Sequence, residues 1–296
     1  MPEVHGGLDV TAIVVSYTRA LVLPACLEAM RGANVDVLVV DNASSDASVA
    51  VARSYGARVL PQARNLGYGR ANSLGVAAAE GRAWCLILNP DVVIGRDALA
   101  GLVAAAEQDL KAALVAPRIV EADGRVFEHE TSVLSPVAPP LPDAEACGEI
   151  GLREVAFTSG AAMLVRRAAF EDIGGFDPNI FLFYEDDDLC LRLRRAGWQI
   201  LQVDRVSVEH GRGKSSAPGK GAGYVSRYHQ AWSRVYVLRK YGMATGAIRF
   251  LMVNALKLVG ATLVLNRQRM ERYRGSVAGT LAALRGEAAF ANEDEA

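Results

Sequence analysis

Residues 10–42 read VTAIVVSYTRALVLPACLEAMRGANVDVLVVDN, and this stretch decides the fold. Two apolar runs, Val10–Val15 and Val35–Val40, enclose a segment with helical character, Leu21–Arg31. A strand that is apolar on both faces is typical of a parallel sheet covered by helices on each side. The stretch therefore predicts a β–α–β unit.

Predicted strands and helices continue along the chain after this unit. Alternating strands and helices predict an α/β fold with a doubly wound sheet, whose ligands bind beyond the carboxyl ends of the strands. Further strands are predicted at Trp84–Leu88, Ala112–Ala116, Phe157–Val165 and Trp198–Val203, and further helices at Asp46–Tyr55, Gly69–Glu80 and Asp97–Gln108.

Composition narrows the class of protein. The hydrophobic fraction of 51% supports a substantial core, and the net charge of -1 gives no overall attraction to nucleic acid. Cys26, Cys85, Cys147 and Cys190 form no CxxC pair, which excludes a zinc ribbon and favours reduced, buried thiols. The first ten residues lack the charged and apolar regions of a signal peptide. We therefore expect a cytoplasmic protein.

Polar residues follow the first two predicted strands. Ser16 and Tyr17 end the first strand, and Asp41 and Asn42 end the second. A carboxylate at such a position can accept hydrogen bonds from a base N–H or a ribose hydroxyl. The residues also fit a simpler explanation, in which Asp41 caps the helix predicted from Asp46.

A turn with two glycines follows at residues 64–69, RNLGYG. The glycines permit a tight turn and a close approach of the backbone, and Arg64 offers several donors to a diphosphate or a uracil-like ring. An ordinary turn with an exposed arginine explains the same residues equally well.

Two positions have the chemistry of metal ligands. Asp91 follows the strand Trp84–Leu88 in the sequence Asn89-Pro90-Asp91, and a hard divalent cation prefers oxygen ligands and substrate phosphates. His210 follows a later strand in VEHGRGKSS, where Arg212 and Lys214 are candidates for phosphate contacts. A strand-ending turn and a surface histidine are the simpler explanations.

Residues 184–188, YEDDD, are the strongest local feature, and they precede a short predicted helix. Acids in the first turn and arginines in the last turn complement the helix dipole, and Gly197 ends the helix. Adjacent carboxylates nevertheless repel one another. A carboxylate beside a sugar acceptor could remove the proton of the attacking hydroxyl, so a functional explanation is favoured.

In order and spacing these motifs resemble glycosyltransferase family two, specifically its bacterial rhamnosyltransferase-like branch. The resemblance extends from Val10 to Ser216 and rests on VVSY, VVDNASSD, RNLGYGRANSLG, LILNPDV, SGAAMLVRR, GGFDPNIFLFYEDDDLCLRLRRAGW and HGRGKSS. It implies a GT-A fold with a Rossmann-like mixed sheet, in which residues 1–118 form the nucleotide-sugar half and residues 119–216 the acceptor half. A basic helical C-terminal extension is expected over residues 217–296.

The resemblance also implies roles for individual residues. Asp91 would bind Mn²⁺ or Mg²⁺ with His210 as a further ligand. Asp186 would be the general base, and Glu185 would orient it or touch the acceptor. The residues expected around the nucleotide diphosphate are Ser16, Tyr17, Asp41, Asn42, Arg64, Asn65, Gly67 and Asn89.

Two positions depart from the family pattern. Asn89 replaces the first aspartate of the DxD metal motif, which leaves less negative charge for the cation. Thr18 stands where relatives often have asparagine, and we expect it to weaken one nucleotide contact.

The implied function is metal-dependent, inverting transfer of L-rhamnose from dTDP-L-rhamnose to a glycan or a polyprenyl-linked acceptor in cell-surface polysaccharide synthesis. The alternatives are a UDP- or GDP-hexose donor on the same fold and a non-catalytic nucleotide-sugar-binding module. A sugar nucleotidyltransferase is set aside, because such enzymes open with a Gly-rich GxGxR-type loop where this chain has SYTRALVLP.

The extension contains an apolar stretch, Ile248–Leu265, that Arg249, Asn254 and Lys257 interrupt. A membrane-spanning helix needs about 20 mostly apolar residues. The three polar residues fall within one arc of a helix, which leaves the other side apolar. The pattern predicts either an interfacial helix at the anionic inner membrane surface or a helix packed on the core or on a second subunit. The membrane surface is favoured by the flanking basic residues Arg234, Arg239, Lys240, Arg267, Arg269, Arg272 and Arg274.

Overall fold

The computed structural model describes residues 8–79, 81–121, 123–127, 131–137, 151–211, 222–243 and 245–289. The predicted surface loop around Cys147 lies outside these residues. The strands are β1 Val10–Ser16, β2 Asp36–Asp41, β3 Arg58–Pro61, β4 Trp84–Leu88, β5 Val92–Val93, β6 Ala112–Glu121, β7 Val126–Phe127, β8 Leu152–Glu154, β9 Ala162–Arg166 and β10 Gln199–His210. The helices are α1 Leu23–Gly32, α2 Ser48–Ser54, α3 Tyr68–Ala78, α4 Arg96–Glu107, α5 Arg167–Asp172, α6 Glu185–Arg195, α7 Ala222–Lys240, α8 Thr245–Leu263 and α9 Arg267–Arg285.

The strands form one mixed sheet in the order β3-β2-β1-β4-β9-β6-β10-β5, with β7 beside β6 and β8 beside β10. Neighbours from β3 to β4 are parallel, whereas β9 lies antiparallel between β4 and β6. The register of β1 and β2 pairs Ser16 with Asp41. The polar residues that end the two strands therefore lie side by side at the carboxyl end of the sheet.

Both faces of the sheet are buried. Val10, Ala12 and Val14 of β1 face a core that includes residues of α1 and α4. Ile13 and Val15 face the opposite core, which includes residues of α3, α5 and α6. This alternation is the reason for the continuous apolar runs in the sequence, and the predicted doubly wound mixed sheet is confirmed.

Most predicted elements are present within a few residues of their expected bounds. The strand expected at Phe157–Val165 begins only at Ala162, since the residues before it form a loop at the strand ends. The strand expected at Trp198–Val203 continues to His210 across an irregularity between Val203 and Ser207. Because the strand is longer, His210 lies at its carboxyl end. Sequence analysis missed β3, β5, β7, β8 and α5, which are short.

The extension consists of α7, α8 and α9. Gly275 and Gly279 of α9 lie directly against α7, where an added Cβ would collide with the carbonyl oxygens of Tyr224 and Tyr228. Trp232 of α7 donates its indole N–H to the carbonyl of Glu287 at 2.9 Å. The glycines therefore allow the two helix backbones to pack in contact. The predicted division into residues 1–216 and 217–296 remains a prediction.

The close contact between α7 and α9 makes Gly279→Ala destabilising. We expect it to lower the free energy of unfolding by about 1–3 kcal/mol, because the helices must separate to admit the methyl group. Gly260→Ala on α8 is the matched control, because nothing lies within 4 Å of its added Cβ. The control should raise stability by roughly 0.5–1 kcal/mol. Urea unfolding of both variants checks this, and equal effects would contradict the packing argument.

Candidate active site

The first part of the site lies at the carboxyl ends of β1 and β2. Ser16, Asp41 and Asn42 are buried, whereas Tyr17 is 47% exposed. One carboxylate oxygen of Asp41, Oδ2, accepts a hydrogen bond from the N–H of Ser44 at 3.2 Å. The other, Oδ1, makes no hydrogen bond within the described residues. Asp41 therefore stabilises its own turn and still presents one oxygen for a ligand.

Asn42 and Asn65 hold the glycine turn. Asn42 Nδ2 donates to Asn65 Oδ1 at 2.6 Å, and Asn42 Oδ1 accepts from the N–H of Leu66 at 2.8 Å. Asn65 Oδ1 also accepts from the N–H of Gly67 at 3.0 Å. The two amides therefore shape the backbone of the turn, while Arg64 beside them is exposed.

Gly67 joins this turn to the loop before α6. Its φ of 80° lies in the left-handed region, and an added Cβ would collide with the carbonyl of Phe181. The next N–H, that of Tyr68, donates to the same Phe181 carbonyl at 2.9 Å. Only glycine fits here, because both the dihedral angle and the space exclude a side chain.

Thr18, which stands where relatives often have asparagine, has an unusual backbone conformation. Its φ of 55° lies in the left-handed region, and its N–H donates to Ser44 Oγ at 2.9 Å. Asparagine tolerates this conformation better than a β-branched residue does. The expected loss of a nucleotide contact stays a prediction.

The strand pair β5–β10 brings Asp91 and His210 together. Asp91 immediately precedes β5, His210 ends β10, and His210 Nε2 lies 3.5 Å from Asp91 Oδ1. Both residues are buried, and His210 Nε2 makes no hydrogen bond within the described residues. Asn89 is half-buried nearby in sequence, with its N–H bonded to the carbonyl of Ala161 at 2.9 Å. The candidate phosphate contacts Arg212 and Lys214 lie outside the described residues.

The Asp91–His210 pair is small for a metal centre made of protein ligands alone. Among the described residues, no group of three or more His, Cys, Asp or Glu side chains could hold a metal ion. If this pair bound a cation, further ligands would have to come from substrate, from water or from outside the described residues.

Helix α6 starts with the four acids, and the structure separates their environments. The residues before it, Phe183 and Tyr184, have φ angles of 69° and 66°, a left-handed bend that starts the helix at Glu185. Of the four acids, Asp186 alone is half-buried, and the other three are buried. Asp186 Oδ2 accepts the N–H of Gly160 at 3.0 Å. Asp186 is thus the member of the cluster that a substrate can reach.

Burial changes the acidity of the cluster. It raises the pKa of Asp186, and together with the Asp186 charge it raises the pKa of Glu185 well above its ordinary value. Burial and the Asp186 charge also raise the pKa of Asp187 to about 7. A carboxylate with a raised pKa is a better proton acceptor near neutral pH.

Asp188 is fully buried and binds the C-terminal extension. Its carboxylate accepts hydrogen bonds from Lys240 Nζ at 2.5 Å, Tyr241 OH at 2.7 Å and Arg192 Nε at 2.6 Å. Lys240 and Tyr241 lie at the end of α7 and just beyond it. Asp188 is therefore a structural residue of the acid cluster.

Lys240 also binds Asp177 in the GGFD motif, at 2.7 Å. Although burial opposes it, hydrogen bonds from Lys240, Asn179 N and Tyr236 hold the pKa of Asp177 below its ordinary value. We call Asp177, Asp188, Arg192, Lys240 and Tyr241 the anchor cluster. Sequence analysis grouped Lys240 with the basic residues expected at the membrane surface and missed Tyr241, because no local pattern shows which distant acids they bind.

A mixed sheet of this order, with polar residues at the ends of β1 and β2, a buried Asp–His pair and a half-buried carboxylate, is the arrangement expected of a glycosyltransferase of the GT-A fold. The family model of Glycosyl transferase family 2 matches residues 11–174. The chain belongs to this family, so the resemblance found in the sequence and the expected fold are confirmed.

Among its relatives, the chain is 31% identical over 267 residues to N-acetylglucosaminyl-diphospho-decaprenol L-rhamnosyltransferase of Mycobacterium tuberculosis, covering 81% of this chain and 87% of that one. It is 28% identical over 163 residues to rhamnosyltransferase WbbL of Escherichia coli K12, covering 49% of this chain and 60% of that one. The solved mannosyltransferase PcManGT from Pyrobaculum calidifontis, in complex with GDP-Man and Mn²⁺, aligns with a TM-score of 0.56 at 16% identity over 93% of this chain and 87% of that one. This last likeness shows the fold alone.

The anchor cluster makes Lys240→Met strongly destabilising. We expect a loss of about 3–5 kcal/mol in the free energy of unfolding, because the change removes the cation that binds buried Asp177 and leaves buried Asp188 with Arg192 alone. Lys257→Met, at an exposed position of α8, is the control and should change stability by less than about 0.5 kcal/mol. Chemical denaturation measures both, and a near-neutral Lys240→Met would show that the cluster contributes no stability.

The raised pKa of Asp187 predicts a pH dependence of stability. The folded state holds this proton more tightly than the unfolded state, in which the pKa is about 4. Stability from this group is therefore present at low pH and lost as the pH rises from about 4 through 7. Asp187→Asn mimics the protonated form and should exceed wild type by on the order of 2 kcal/mol at pH 8, with little difference near pH 4.

Urea unfolding at several pH values tests this prediction. Asp97→Asn, at an exposed acid in the first turn of α4, serves as the control and should follow wild type at every pH. A destabilised Asp187→Asn with the same deficit at pH 4 and pH 8 would contradict the sign of the shift.

Proposed function

We propose that this enzyme transfers L-rhamnose from dTDP-L-rhamnose, with inversion, to a polyprenyl-diphosphate-linked N-acetylglucosamine in cell-surface polysaccharide synthesis. The observation that carries the proposal is the 31% identity to the Mycobacterium tuberculosis relative, because it extends over 81% of the chain. That relative's name states both the sugar transferred and the lipid-linked acceptor. Since a polyprenyl chain lies in the membrane, the enzyme would work as a cytoplasmic protein at the inner membrane face.

The Asp91–His210 pair suits a divalent cation, Mn²⁺ or Mg²⁺. A buried imidazole nitrogen without a hydrogen bond, 3.5 Å from a buried carboxylate oxygen, is a chemically reasonable pair of ligands. Asn89 replaces a carboxylate of the family motif, so the donor diphosphate would supply much of the remaining negative charge. When bound, the cation would stabilise the charge that grows on the leaving diphosphate.

The donor would lie along the ends of β1 and β2. Asp41 Oδ1 is available to the nucleoside, exposed Tyr17 can cover its ring, and exposed Arg64 can reach the diphosphate. Asn42 and Asn65 would act through the backbone of the Gly67 turn.

Asp186 would be the general base. It takes the proton of the acceptor hydroxyl while the hydroxyl oxygen attacks the anomeric carbon and the bond to the diphosphate oxygen breaks. This single displacement inverts the configuration and needs no covalent enzyme intermediate. The Gly160 N–H holds one oxygen of Asp186, and buried Glu185 supports the start of the helix.

Removing the base should stop turnover without stopping donor binding. We expect Asp186→Asn to lower kcat by about 10²–10⁴-fold and to leave the Kd for dTDP unchanged. Initial rates with dTDP-L-rhamnose and a polyprenyl-linked N-acetylglucosamine acceptor, together with calorimetric titration of dTDP, measure the two effects. Asp97→Asn is the control. Retained turnover in Asp186→Asn would refute the assignment of the base.

The cation site is tested by thermal stabilisation. With Mn²⁺ present, dTDP at 100 times its Kd should stabilise wild type by about 2.7 kcal/mol. Asp91→Asn should lose the part of this increment that depends on the metal, whereas Asp97→Asn should keep it. A larger shift with UDP or GDP would instead indicate another hexose donor. Binding without turnover of any donor would indicate a non-catalytic module.

A further inference from the structure

Helix α8 has an unusual surface for a helix of a folded domain. Its segment Gly246–Leu263 has a mean hydropathy of 1.4, yet 17% of it is buried. By length and composition this is the single helix among the described residues that could cross a membrane.

The structure shows which side of α8 contacts the protein. The buried residues Ala247, Asn254 and Ala261 recur every seven positions and form an inner stripe. Asn254 lies in this stripe, with its Nδ2 bonded to the carbonyl of Phe250 at 2.8 Å. Asn254 therefore lies at the protein-facing end of the polar arc that it shares with exposed Arg249 and Lys257, and its amide is satisfied within the helix.

The outer side of α8 is apolar. Five side chains are 57–79% exposed and lie within an arc of about 80° at 100° per residue: Ile248, Met252, Leu256, Val259 and Leu263. The turn after the helix adds Val264 and Leu265, which are 67% and 81% exposed. We call these seven residues the apolar face.

Cations lie beside the apolar face. Arg249 and Lys257 lie on one side of it on α8, and both are exposed. The first turns of α9 contain exposed Arg267, Arg269, Arg272 and Arg274, with Glu271 as the one acid in that segment. An apolar strip bordered by cations matches the boundary between acyl chains and anionic headgroups.

We propose that the α8–α9 hairpin binds an anionic lipid bilayer, with the apolar face in the headgroup–acyl boundary and the arginines on lipid phosphates. Pairing two copies through this face would bring the cationic borders together, whereas an anionic surface neutralises them. A spanning α8 is disfavoured because its inner stripe packs on protein and because α9 is held against α7. The inference deepens the proposed function, since it would place the enzyme at the plane of a lipid-linked acceptor.

Sedimentation of the full chain with vesicles tests the proposal. Wild type should bind vesicles of 30% phosphatidylglycerol in phosphatidylethanolamine and bind pure phosphatidylcholine far more weakly. Leu256→Glu should weaken binding at least ten-fold. Leu110→Glu is the matched control, because Leu110 is 84% exposed away from the extension and should bind like wild type. Each Arg267→Gln or Arg269→Gln change should weaken binding to the anionic vesicles about five-fold.

A second measurement locates the helix without relying on affinity. Leu256→Trp should show a blue-shifted emission on anionic vesicles and quenching by lipids brominated near the headgroup, whereas Leu110→Trp should show neither. Equal vesicle binding by wild type and Leu256→Glu would overturn the proposal. A dimer in light scattering that Leu256→Glu dissociates would assign the face to a second copy, and resistance to alkaline extraction would assign a span.

These assays contain no donor or acceptor, so their failure is distinct from failure of the proposed transfer. Rhamnosyl transfer to a short-chain, water-soluble acceptor should persist in Leu256→Glu if the transferase activity is correct. Loss of vesicle binding with retained transfer in that variant is the result expected from the proposal.

Discussion

The ammonium group of Lys240, placed between the carboxylates of Asp177 and Asp188, is the interaction on which the arrangement of the molecule depends. Asp188 belongs to the same helix as Asp186, and Lys240 ends the first helix of the extension. Without Lys240, buried Asp177 would lose its cation and buried Asp188 would keep Arg192 alone, so the acid helix is stabilised by its contact with the extension. The anchor cluster explains why the C-terminal extension, which follows the family motifs in sequence, packs against the acid helix α6.

The second constraint is the register of the sheet. Because Ser16 pairs with Asp41, the ends of β1 and β2 form one edge, and the long strand β10 returns His210 to Asp91. The Tyr68 hydroxyl donates to the Gly160 carbonyl, and the Gly160 N–H donates to Asp186. The donor edge and the reachable carboxylate are therefore connected through one residue of the loop before β9. This connection fixes the position of the Asp186 carboxylate relative to the ends of β1 and β2.

The parts of this structure that could be predicted from sequence are those that local patterns determine. β1, β2, β4 and β6 are buried on both faces, so each produces a continuous apolar run, whereas β3 is short and partly exposed. The order of the motifs indicated the family. The family resemblance then led to the prediction that Asp91 and His210 bind the same cation. The mutual hydrogen bonds of Asn42 and Asn65, the different environments of the four acids, and the partners of Lys240 depend on contacts between distant residues. No pattern within a window of sequence contains that information.

The contact between Gly67 and the Phe181 carbonyl has a consequence for how such an enzyme can diversify. The frame of buried Asn42, half-buried Asn65 and Gly67 is held by hydrogen bonds among these residues and to Leu66 and Ser16. Tyr17 and Arg64 stand outside that frame on the exposed rim. Substitutions on this exposed rim can therefore accumulate without disturbing the hydrogen bonds of the frame.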